Sequence, residues 1–180
     1  YDARVSRRYD DLEISRKLPG AEYLPEATIQ AIDYSNEINA IKQEHGPRYW
    51  SHAEAVQKAA DLWGFNCNEF GVVSEPKDQL IVKGSDRYEV EIDLSESTKG
   101  HYLIGMSAQT PISGFSYAPS VFMRLGYPSA QDARLAGIYE AGAYLTQRLQ
   151  NPCSCSSRAY HAGLENLLQH LQQASQPTLF

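Results

Sequence analysis

The segment Arg87-Tyr88-Glu89-Val90-Glu91-Ile92-Asp93-Leu94 alternates polar and less polar side chains without a break. A period of two puts successive side chains on opposite faces of a strand, so one face is wet and the other must be covered. Three neighbouring stretches also read as strands: Asn68–Val73, Gln79–Lys83 and His101–Ala108. Turn residues separate them at Glu75-Pro76-Lys77-Asp78, Gly84-Ser85-Asp86 and Ser95–Gly100. Connections this short favour antiparallel neighbours. Helical sequence flanks the region on both sides. The expected fold class is therefore α+β, with an antiparallel meander of about four strands between N-terminal and C-terminal helical segments and helices on one face.

On the N-terminal side, Pro25 stands at the first position of an expected helix, and Ala31, Tyr34, Ile38 and Ile41 recur at spacings of three and four. Gly46-Pro47 ends that helix. A second opens at Ser51, presents Val56, Ala59, Ala60 and Trp63 on one side, and stops at Gly64. On the C-terminal side, Pro111, Gly114 and Pro119 mark residues 109–119 as a loop, and a short helical piece starts at Ser120. A long helix from Ser129 to about Gln150 carries the stripe Leu135, Ile138, Gly142, Leu145 and Leu149. Its residues Gly137, Ala141, Gly142 and Ala143 keep it thin enough for close approach of another backbone. The last helix, Ser157 to about Gln173, lines up Tyr160, Leu164, Leu167, Leu168 and Leu171. Residues 1–24 mix both charge signs with no apolar face and read as an irregular arm. Residues 25–173 read as one α+β domain and 174–180 as a mobile tail.

Charge and hydropathy narrow the functional classes. A formal net charge of -6, with no dense Lys/Arg stripe, repels a phosphate backbone, so nucleic acid is not an expected partner. The longest apolar run, such as Tyr102-Leu103-Ile104-Gly105-Met106, is far too short for a membrane span. Three cysteines are too few for a disulfide-built scaffold, and their odd number leaves at least one thiol free within a single chain. This favours a soluble, cytoplasmic protein over a secreted one. The chain starts at Tyr1, so a signal could have been removed before it, and a bridge from Cys67 to Cys153 or Cys155 stays open.

Three constellations could carry chemistry. His52-Ala53-Glu54 with Pro152-Cys153 far downstream is a fragment of a zinc-deaminase signature, but the cysteines stand as Cys153-Ser154-Cys155 rather than two residues apart. Ser51-His52-Ala53-Glu54 has a simpler reading as a capping box. Cys67 and His101 could form a thiolate–imidazole pair for a hydrolase or acyl transferase, with Gln109 as the nearest downstream orienting amide. Against this, Cys67 enters an expected strand instead of opening a helix. Cys67, Cys153, Cys155 and His161 are the right types for a zinc site, but Cys-x-Cys is an unusual half-site, so no metal and no cofactor is expected. No serine lies in a Gly-x-Ser-x-Gly elbow. Glu89, Glu91 and Asp93 share the wet face of one strand and read as solvation, not as an acid/base pair.

Aromatic residues supply the remaining signal. The chain has 12 tyrosines, several outside the apolar stripes: Tyr23, Tyr49 beside Trp50, Tyr117 beside Phe115, and Tyr127. Tyrosine and tryptophan outside the stripes either seal a core edge or anchor an interface. The expectation is a protein-interaction module, of an accessory, adaptor, effector or immunity type. It would bind a protein partner through Tyr49, Trp50, Phe115, Tyr117 and Tyr127 together with an exposed sheet face or the thin helix. The alternative is the cysteine-dependent enzyme using Cys67 and His101.

Overall fold

The alternation in the third expected strand is realised as a strand with one fully buried face. Val90, Ile92 and Leu94 have no exposed surface. In the structure, a computed structural model that describes residues 29–74 and 76–176, four strands form an antiparallel meander: β2 (Asp78–Lys83), β3 (Glu89–Glu96), β4 (Tyr102–Gln109) and β5 (Gly114–Tyr117). Register aligns apolar residues across it, with Ile92 opposite Leu80 and Met106, and Val90 opposite Val82 and Ala108. The remaining elements are β1 (Ile32–Asp33), α1 (Ser35–His45), a 3₁₀ helix (Gly46–Ser51), α2 (Ala53–Trp63), β6 (Leu125–Gly126), α3 (Ala130–Gln150) and α4 (Arg158–Ser175). The α+β class is thus present, with the sheet between N-terminal and C-terminal helices.

Helices α3 and α4 cover the apolar face of the sheet. Ile138, Leu145, Leu164, Leu167 and Leu171 join Val90, Ile92 and Leu94 in one cluster, all with no exposed surface. Full burial of each such side chain contributes about 1.5–3 kcal/mol. The thin stretch of α3 is spent here: Gly137, Ala141, Gly142 and Ala143 are buried, and a Cβ at Gly137 would lie 2.6 Å from Ile92 Cγ2. This corrects the expectation that the thin helix offers an outer contact surface. Sheet packing needed it.

A second cluster gathers α1, α2 and the segment around residue 121. Ile38, Ala55, Ala59, Trp63 and Val121 are fully buried there, and Leu103 joins them from the sheet face opposite to Ile104. Gly126 makes room for the indole, since a Cβ at that position would stand 2.5 Å from Trp63 Cζ3. Trp63 Nε1 donates to the Met123 carbonyl at 3.2 Å. The β1–β6 pair continues towards the main sheet through Tyr127 and Tyr102, whose amides donate to each other's carbonyls at 2.9 and 2.8 Å.

Several expected elements differ. The stretch 68–73 is a turn, not a strand: Asn68 Oδ1 accepts from the amides of Phe70 and Val72, both at 2.9 Å, which curls the chain instead of extending it. Val72 keeps one isolated bridge, to Ser120. The fourth strand is instead β5, inside the expected loop 109–119. The Thr110 amide donates to the Ser113 carbonyl at 2.8 Å and reverses the chain tightly enough to pair Gly114 with Gln109. The first helix starts at Ser35, because Ile32 and Asp33 pair with Gly126 and Leu125; Pro25 and the arm 1–24 lie outside the described residues. The piece from Ser120 is a turn leading into β6, not a helix. Helix α4 runs to Ser175, so Ala174 and Ser175 of the expected tail are helical, and Ser175 is buried.

The capping box is also corrected. Ser51 ends the 3₁₀ helix, and its hydroxyl donates back to the Arg48 carbonyl at 2.9 Å. His52 occupies the N-cap of α2 with no side-chain cap bond, and Glu54 pairs with Lys58 at 3.0 Å. The C-terminal helices are capped by side chains: Ser129 Oγ accepts from the Asp132 amide and Ser157 Oγ from the Tyr160 amide, each at 3.1 Å.

Candidate functional site

Two exposed aromatic side chains are chain neighbours of residues that meet one buried ring, Phe122. Gly46, with φ of 73°, ends α1 and turns the chain into the 3₁₀ helix that carries Tyr49 and Trp50. Tyr49 points inward: its ring lies 4.8 Å from Phe122 and 5.0 Å beneath Lys42 Nζ, and partial burial raises its hydroxyl pKa. Trp50 packs edge-on to Tyr49 at 5.3 Å and leaves 44% of its surface in water. Phe70 is half exposed at the tip of the Asn68 turn. The turn is seated by Gly71, whose φ is 77° and whose missing Cβ would lie 2.9 Å from both Phe122 and Val121. Trp50 and Phe70 therefore each adjoin a residue in contact with the same nearly buried Phe122 ring.

The other expected anchors are used internally. Phe115 and Tyr117 lie on β5 rather than in a loop. Phe115 meets Tyr144 at 4.6 Å between ring centroids, and the Tyr117 hydroxyl donates to Glu140 at 2.7 Å. Tyr127 is only 4% exposed, and burial, followed by the nearby Glu140 charge, holds its hydroxyl pKa far above the ordinary value. Tyr23 lies outside the described residues. Phe70 was hidden inside an expected strand, although Asn68 two residues before it and Gly71 directly after it are turn-forming residues.

Two of the three cysteines are engaged with each other. Cys153 and Cys155 form a disulfide with each other, which leaves Cys67 free. That corrects the open pairing of Cys67, and it removes two thiolates from both the four-ligand zinc set and the deaminase fragment. Cys67 packs half-buried against the α1/α2 cluster, where desolvation raises its thiol pKa, the reverse of nucleophile activation. His101 immediately precedes β4, with its ring 6.1 Å from Trp63 and 6.4 Å from Tyr34, and its buried Nδ1 has no hydrogen-bond partner. No hydrogen bond joins Cys67 to His101 among the described residues.

Charged groups gather at one other place. Ligand atoms of Glu44, His45 and Glu54 lie within 4.8 Å of one another. The Lys58 ammonium takes up both carboxylates, at 2.8 Å from Glu44 and 3.0 Å from Glu54, and so clasps α1 to α2. On the open sheet face, the Gln79 side-chain amide donates to Glu91 and, at 2.8 Å, to Asp93, which ties these carboxylates into the surface. A shallow depression of about 350 Å³ at the β4–β5 hairpin is lined by Ser107, Gln109, Thr110, Ser113, Gly114, Phe115 and Ser116. It holds no titratable side chain, and its Thr110 and Ser113 hydroxyls bond to Tyr160 and Tyr144 at 3.2 and 3.1 Å.

No helix among the described residues is long and apolar enough to cross a membrane. Comparison with protein-family models, curated proteins and solved structures finds no match to this chain.

Proposed function

We propose that this chain is a protein-interaction module whose contact surface is centred on Trp50 and Phe70. The observation that carries this reading is the exposure of both rings on two separate segments that adjoin Phe122. A large aromatic side chain held rigidly but left in water gains most by entering a partner's pocket, since little conformational freedom remains to be lost. The seats are rigid: Tyr49 is wedged between Trp50 and Phe122, and the Asn68 carboxamide holds the Phe70 turn by two hydrogen bonds. The partner is a protein that offers an apolar pocket for these rings.

A photo-crosslinking phenylalanine analogue at Trp50, with the same analogue at Ile112 on the hairpin tip as control, identifies the partner in native extract. Affinity for that purified partner is then measured with Trp50→Ala and Phe70→Ala chains. Each substitution should cost about 2 kcal/mol, roughly thirty-fold in Kd, with unchanged circular dichroism. Full affinity in the doubly substituted, folded chain would remove this reading.

A further inference from the structure

The Cys153–Cys155 bridge closes a ring over a single intervening residue, Ser154, in the exposed loop between α3 and α4. A disulfide stabilises a fold by shortening the loops available to the unfolded chain, and that effect is smallest for the shortest loop. Nor is the bridge required to connect the two helices. Asn151 caps the end of α3, Ser157 caps the start of α4, and the turn between them is already closed by the Ser156 amide donating to the Cys153 carbonyl at 2.9 Å. Both sulfur-bearing residues are exposed. Small, accessible disulfides that hold nothing together are the ones that exchange with other thiols.

We infer that Cys153 and Cys155 form a thiol–disulfide exchange site, whose substrate is a thiol: a small-molecule thiol or the dithiol of a protein reductant. The loop distinguishes the two sulfurs. Ser156 Oγ accepts from the Cys153 amide at 3.1 Å and lies 3.4 Å from Cys153 Sγ, so its hydroxyl hydrogen is free to point at that sulfur. An incoming thiolate attacks Cys155 Sγ and forms a mixed disulfide there. The Sγ–Sγ bond breaks, and its electron pair leaves on Cys153 Sγ as a thiolate, stabilised by the Ser156 hydroxyl. A second thiolate then attacks the substrate sulfur of the mixed disulfide, which frees Cys155 as thiolate and releases the oxidised substrate as its disulfide. Two electrons pass from two thiols to the protein, and the reverse sequence reduces a substrate disulfide and restores the Cys153–Cys155 bridge. Cys67 takes no part, being packed in the α1/α2 cluster away from this loop.

The whole chain is equilibrated in buffers of graded reduced-to-oxidised glutathione ratio, quenched with acid, tagged with a maleimide and weighed by mass spectrometry. Two tags should appear and disappear together as the ratio changes, within minutes, while circular dichroism and the single Cys67 tag stay constant. Ser156→Ala should slow reduction by roughly three- to tenfold, the loss expected for one hydrogen bond to a developing charge. A Cys153→Ser chain, which leaves Cys155 unpaired, should collect one glutathione at Cys155. A parallel arm with catalytic thioredoxin separates the sources: faster reduction there assigns a protein dithiol, and no difference assigns a small thiol. A pair that stays oxidised at every ratio until the protein is unfolded, or that stays as two thiols in fully oxidised glutathione, overturns the inference.

Discussion

Gly137 on α3 and Ile92 on β3 meet so closely that a Cβ on the glycine would lie 2.6 Å from Cγ2 and 3.0 Å from Cδ1 of the isoleucine. The absence of one methyl group lets α3, the longest helix among the described residues, settle onto the centre of the sheet. Ile92 has no exposed surface, so it has nowhere to retreat.

Gly137→Ala should therefore destabilise the protein, although alanine is favoured over glycine within a helix by about 1 kcal/mol. Overpacking at this contact costs about 1–3 kcal/mol and decides the sign. Ile92→Ala alone should cost about 2–5 kcal/mol, and the double variant should lose less than the sum of the two. Urea midpoints of the four chains test it, and a stabilised Gly137→Ala protein would contradict the packing described.

The three serines that the sequence offers as helix caps should behave differently. Ser129→Ala and Ser157→Ala remove hydroxyls that accept backbone amides and should each cost about 1 kcal/mol. Ser51→Ala removes only an exposed bond to the Arg48 carbonyl and should stay within about 0.5 kcal/mol. Denaturant titrations of the three variants give the order. A Ser51 effect equal to the other two would restore it as the cap of α2.

His101 should make stability depend on pH. Burial first, and the Lys99 charge second, lower its pKa below the ordinary 6.5, so the unfolded chain binds this proton more readily than the folded one. Stability is then complete above the unfolded value and falls as pH drops through it towards the lower folded value. His101→Gln should flatten that part of the profile, measured as urea midpoints between pH 5 and pH 8. The same substitution should leave the slow maleimide labelling of Cys67 unchanged; a collapse of that rate would support the cysteine–histidine enzyme instead.

Much of the frame was legible from residue patterns alone. In Glu89–Leu94 a period of two assigns both faces, and in α3 and α4 apolar stripes of helical period begin after serines that do cap. These signals are local: they need only neighbours within one or two turns of chain, and solvation acts on them wherever the element ends up. The glycine and alanines of α3 likewise announced a close approach, though not to which surface.

What tertiary structure decided lies where the partner is distant in sequence or the segment is too short to show a period. Strand β5 has four residues and exists because Gly114 and Tyr117 find Gln109 and Met106 opposite them. Ile32 and Asp33 leave the expected helix because Gly126 and Leu125, over ninety residues later, complete their hydrogen bonds. Which aromatics reach water was equally hidden: Tyr127 and Trp50 both read as loop residues, yet one is enclosed by the core and the other stands outside Tyr49 and Phe122. Composition and spacing give a side chain its chemistry and its local geometry. Only the packing of distant segments determines whether it is buried, paired or left exposed to a partner, because desolvation depends on every atom that comes near it.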